Sequence, residues 1–137
     1  MNRISDYKVI QIKSEQPREV IDYGVRMAGA PLEWGEVTGA GIRVGIIDTG
    51  IDLHHKDLAD GIADAVSFVP GTRSPQDDNG HGTHVAGIIG ARRNGSGVVG
   101  MAPNCRMYVA KAFDAAGNAE FPAIRRSLEW MIHRKVQ

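Results

Sequence analysis

Residues 38–52 read TGAGIRVGIIDTGID. At the centre, Arg43 to Asp48 form a continuous β-rich apolar run with glycine on both sides. Such a run suits a strand buried on both faces, as in a parallel sheet. Asp48 closes it. A carboxylate ending a buried strand is costly unless something positive or hydrogen-bonding faces it. Asp-Thr-Gly could equally be a plain strand-ending turn, so this triplet alone leaves the function open.

Working outward, Ala65–Val69 and Met107–Phe113 are two further candidate strands. Helical patterns fall at about 81–92 and 122–134, the second with Ile124, Leu128, Met131 and Ile132 on one side. Residues 19–37 suggest a short helix, a Pro-containing break and a second amphipathic turn, and the polar residues 1–18 an extension or edge strand outside the main body. Strands alternating with helices predict a parallel α/β sheet. Function gathers at the carboxyl ends of such strands, where Asp48 sits.

The 137 residues are enough for one core of ordinary domain size. Lys+Arg and Asp+Glu are both 16, so no net field points to nucleic acid or a membrane. A single cysteine, Cys105, rules out an internal disulfide and leaves too few thiolates for a Cys-based zinc site. The first twenty residues contain no apolar core of a signal peptide, and no span is predicted; a cytoplasmic setting is the expectation.

Residues 77–90 read DDNGHGTHVAGIIG, with His81 and His84 where a polar turn gives way to an apolar run. Asp77, Asp78 and Asn79 offer turn and cap chemistry. A histidine in the first helical turn sits where the backbone dipole disfavours imidazolium, while a nearby carboxylate favours it and locks one tautomer. That balance suits a general base. An isolated His81 would read as no more than a helix start.

Together, VGIIDTGID and DNGHGTHVAGIIG resemble the aspartate and histidine motifs of the subtilisin-like serine proteases, the subtilases. VVGMAP at 98–103 and the run YVAKAFDAAGNAEFPAIRRSLEWMI align with the family's following segments, from about residue 19 to the end. The resemblance implies a three-layer, parallel-sheet α/β fold, incomplete here: residues 1–18 as an N-terminal extension and 19–137 as the front half of a catalytic domain. It implies a serine-type endopeptidase, with Asp48 as the orienting acid and His81 as the general base. His84 matches a structural histidine, expected to pack below the site. A His-x-x-His metal site is disfavoured, because the zincin spacing and glutamate are missing.

The family's nucleophile stands in a Gly-Thr-Ser turn opening a later helix, and none of Ser5, Ser14, Ser67, Ser74, Ser96 and Ser127 has that context. The asparagine that donates to the oxyanion has no match either. In subtilisin, losing the serine costs roughly a millionfold in rate, and losing the oxyanion donor about 3 kcal/mol. The chain alone is therefore expected to be inactive. It would be an expressed or proteolytic fragment, half of a split protease completed by a second polypeptide, or a truncated gene product.

The resemblance also implies calcium. Asp57 matches a ligating carboxylate, and residues 91–99 match the calcium loop in length, with the Asn94 side chain and the carbonyls of Arg92, Ser96 and Val98 as ligands. Glu19 would add an oxygen. All-oxygen ligands suit Ca²⁺; the simpler alternative is that Asp57 caps a turn and Asn94-Gly95 is a tight turn. Gly117, Asn118 and Ala119 match the edge that pairs with an extended polypeptide substrate, and Phe121 would border an apolar subsite. Cys105 is expected to be an inert, partly buried thiol. The short leader is similar to that of intracellular subtilisins, where such an extension can lie across the substrate groove.

A second reading is a non-catalytic pseudoenzyme that keeps the calcium and peptide sites. A dinucleotide fingerprint in GAGIRVGIIDTG fails, because its glycine turn precedes the strand and offers no helix N-terminus to a phosphate.

Overall fold

The computed structural model describes residues 18–137 and the backbone of residues 2–3. Most of the expected extension, residues 1–18, thus lies outside the described residues. Three parallel strands form the main sheet: β2 (Arg43–Asp48), β3 (Ile62–Ser67) and β4 (Arg106–Lys111), in the order β2-β4-β3. β2 and β4 pair in continuous register from Arg43 opposite Arg106 to Asp48 opposite Lys111. The first strand matches its expected limits. The other two begin and end earlier than expected, because the residues after Ser67 and Lys111 turn out of the sheet to build loops at its carboxyl edge.

Side-chain alternation explains the layering. Val44 and Ile46 of β2, with Met107 and Val109 of β4, pack toward α3 (His81–Gly90), whose Val85, Ala86 and Ile89 complete the core with Ile51, Leu58 and Cys105. Gly45 and Tyr108 face the other side. A Cβ on Gly45 would lie 2.7 Å from the Met131 sulfur, and the Tyr108 ring lies 6.2 Å from that of Trp130. Met131 and Trp130 belong to α4 (Phe121–Arg134), so helices cover both faces of the sheet. Leu128 and Ile132 of α4, expected on the apolar side with Met131, are exposed at 52% and 74%.

Two short helices, α1 (Tyr23–Met27) and α2 (Ala30–Glu33, with Pro31 in its first turn), precede the sheet. Arg3 and Asn2 form a two-residue strand β1, antiparallel to β5 (Asn118–Ala119). No described helix is long and apolar enough to cross a membrane.

Candidate active site

Asp48 ends β2 and His81 opens α3. His81 Nδ1 lies 2.8 Å from Asp48 Oδ1 and 3.0 Å from Oδ2. An ionised carboxylate only accepts, so Nδ1 carries the proton and Nε2, across the ring, is the basic atom. The Thr49 N–H also donates to Asp48 Oδ1, at 2.7 Å. Asp48 is buried while the His81 side chain stays 31% exposed, so the acid is sheltered and the ring is open to approach.

Two glycines allow this juxtaposition. The turn after β2 places Gly50 at φ +112°, which an L side chain resists. A Cβ on Gly82 would lie 2.1 Å from the Gly50 carbonyl oxygen. The first turn of α3 therefore rests directly on the end of β2, backbone against backbone.

Asp77 locks the contact. Its Oδ1 accepts from the N–H groups of Asn79 and Gly80 and from the Thr49 hydroxyl, at 2.9–3.0 Å. Its Oδ2 accepts from both the N–H and the hydroxyl of Thr83. The Thr49 hydroxyl in turn accepts from the Gly82 N–H. Burial disfavours the charged Asp77 carboxylate, yet the donors from Gly80, Thr83 and Asn79 outweigh it and hold the group down at about 2. The expected cap chemistry of residues 77–79 is present, and Asn79 Oδ1 accepts from the His81 N–H. The sequence reading missed Thr49 and Thr83 as partners; their signal was a hydroxyl one residue after Asp48 and two after His81.

The candidate substrate edge adjoins this region. Asn79 Nδ2 donates to the Ala115 carbonyl at 2.9 Å, which ties the His81 loop to the turn before β5. Gly117, at φ +77°, closes that turn, with its N–H donating to Asp114 O. Asn118 and Ala119 form β5, against which β1 lies. Phe121, 77% exposed, starts α4 beside it. A cavity of ≈ 370 Å³ runs along this edge, lined by Val69, Pro70, Asp78, Asp114, Asn118 and Glu120 among others.

Of the candidate calcium residues, Asp57, Asn94 and Val98 meet at one carboxylate, and Glu19 holds the same loop at Gly95. Buried Asp57 accepts from Val98 N–H through Oδ2 and from Asn94 Nδ2 through Oδ1. Glu19 accepts from Gly95 N–H. Gly97 has φ +67°, and a Cβ there would lie 2.0 Å from Asp57 Oδ2, so the loop wraps tightly over this carboxylate. Oxygen is the donor type a hard cation takes, but here Asn94 turns Nδ2 toward Asp57 while its Oδ1 accepts from Ser96, so an ion would need that amide to turn. Among the described residues no three His, Cys, Asp or Glu side chains gather as a metal site, so amide and carbonyl oxygens would have to contribute. Arg92 does not intrude: its guanidinium donates to the Pro103 and Asp60 carbonyls, and its backbone N–H to Asp57 O.

Two expectations are corrected. His84 is exposed, not packed below the site, because Gly82, Ala86 and Gly90 form the buried face of α3 and His84 lies off that stripe. Cys105 is fully buried, in contact range of Gly90 and Met107, and burial raises its thiol pKa. The described serines are engaged apart from the pair: Ser67 with Val69, Ser74 with Gln76, Ser96 with Asn94 and Ser127 with Ala123.

Comparison with known proteins agrees with the geometry. Residues 39–137 match the Subtilase family model. The chain is 44% identical over 111 residues to an alkaline protease of Alkalihalobacillus alcalophilus, covering 80% of this chain and 28% of that protein. It is 43% identical over 111 residues to Subtilisin Savinase of Lederbergia lenta, covering 80% and 40%. With an intracellular serine protease of Paenibacillus polymyxa it shares 37% over 137 residues, covering 97% and 41%. The chain thus spans well under half the length of these relatives. It belongs to the subtilase family.

Proposed function

We propose that the chain carries the acid and base of a serine endopeptidase whose nucleophile lies outside these 137 residues. The single observation behind this reading is the Nδ1–carboxylate pair at 2.8 and 3.0 Å. In the proposed reaction His81 Nε2 takes the proton from an incoming serine hydroxyl as its oxygen attacks the peptide carbonyl carbon. The same nitrogen then gives that proton to the leaving amine. Asp48 holds the ring in the Nδ1–H tautomer and stabilises the imidazolium that forms. An extended polypeptide substrate would pair along Gly117, Asn118 and Ala119, with Phe121 beside an apolar subsite. Because β1 already lies on that edge, the leader would compete with substrate.

Calcium would be held by Asp57, Asn94, Glu19 and the carbonyls of Arg92, Ser96 and Val98, where it would stiffen the loop without taking part in proton transfer. A rise in melting temperature with millimolar Ca²⁺ is expected, and no shift would count against the site. The chain by itself is proposed to be inactive and cytoplasmic. The name of the P. polymyxa relative supports that setting.

The test is complementation. Adding a polypeptide with the family's Gly-Thr-Ser segment should produce peptide hydrolysis that depends on Asp48 and His81. A fluorophosphonate label on the isolated chain would refute its inactivity. If complementation restores calcium and peptide binding but no hydrolysis, the pseudoenzyme reading takes over.

A further inference from the structure

Lys111 ends β4 in register with Asp48, so both side chains leave the sheet on the α3 face. Its side chain is wholly buried, which lysine tolerates almost only when paired. Nζ donates to the Thr49 carbonyl and to Asp78 Oδ1, each at 2.5 Å. The first acceptor belongs to the residue after Asp48, and the second lies three residues before His81. The charged and titratable groups on the segments it joins are Asp48, Asp77, Asp78 and His81, with Asp114 across the cavity that Asp78 lines.

Stability alone explains this lysine poorly. Taking an ammonium out of water costs several kcal/mol. Its ionic partner Asp78 is 47% exposed, so solvent screens the attraction. A methionine would fill the same volume without the desolvation cost. What methionine would lack is a donor that joins the segment bearing the acid to the segment bearing the base.

We propose that Lys111 is a positioning residue for the Asp48–His81 pair. By clamping the Thr49 carbonyl to Asp78, its ammonium fixes the separation between the end of β2 and the loop leading into α3. This rests on the acid–base reading given above.

The test reads the His81 Nδ1 proton by NMR in the 137-residue chain, as a resonance downfield of the amides that D48A removes. In Lys111→Met, that proton is expected to exchange with water at least about tenfold faster, the factor that corresponds to losing one charge-assisted hydrogen bond. Asp78→Ala should act in the same direction, while Asp78→Asn, which keeps an acceptor oxygen, should stay near the parent. If Lys111→Met does not fold, the two Asp78 variants decide. A folded Lys111→Met or Asp78→Ala chain with unchanged exchange, whatever its melting temperature, overturns the positioning role and leaves the acid–base pair standing. A parent chain without the resonance, or one in which D48A leaves it intact, overturns the pair and this inference with it.

Discussion

Two buried aspartates stand at comparable places and are held differently. Asp48 is met by one adjacent N–H and one imidazole, and the parts around it are joined by Asp77, Thr49 and Lys111 across 28 to 62 residues of sequence. Asp57 instead acts as the anchor for its own region: its two oxygens gather Val98 N–H and Asn94 Nδ2 from an exposed loop. In the first region the scaffold is made rigid by other groups, so the acid is left to face its histidine. In the second the acid is itself the scaffold, and a cation would have to share it. Preorganisation of the first kind is what proton transfer needs; the second kind suits a structural ion.

The largest effect should come from the first region. In the complemented enzyme, Asp48→Ala should lower kcat by on the order of 10⁴-fold, measured on a peptide substrate, with little change in folding. A modest loss would mean that Asp48 does not orient His81. Next, Gly82→Ala drives a methyl group into the Gly50 carbonyl and should cost about 3 kcal/mol in urea unfolding. Tolerance of alanine would show that the first turn of α3 does not rest directly on the end of β2.

In the second region, Asp57→Ala should cost about 2 kcal/mol by leaving Val98 N–H and the Asn94 amide unpaired. It should also abolish any calcium-dependent rise in melting temperature. If calcium still stabilises the variant, the ion binds elsewhere.

The smallest effect concerns pH. Asp77 is held down at about 2, so its contribution is present above its unfolded value of about 3.9 and is lost as pH falls through 2. The group is only partly buried, and screening should keep this below about 2 kcal/mol. Acid unfolding of Asp77→Asn should be correspondingly flatter between pH 4 and 2, and an unchanged slope would remove Asp77 from the brace.

The sheet was legible because its strands are apolar runs ending in recognisable turns, and Arg43–Asp48 was legible to the residue. The juxtaposition of Asp48 and His81 was legible only through paired motifs, since no periodicity encodes a contact between strand end and helix start. Lys111 was opaque: in YVAKAF it reads as a strand residue of no special kind, and only the register with Asp48 gives it meaning. His84 misled because sequence spacing places it one turn from His81 without saying which face of α3 meets the core. The exposure of Leu128 and Ile132 follows from the same gap, as an apolar stripe does not say what covers it.

At the outer side of β2, Arg43 N–H donates to Gln137 Oε1 and Gln137 N–H donates to Arg43 O, across 94 residues of sequence. That pair of bonds ties the exit of α4 to the first residue of β2. A slip of β2 by one position against β4 would break both bonds and at the same time exchange its α3-facing and α4-facing residues wholesale.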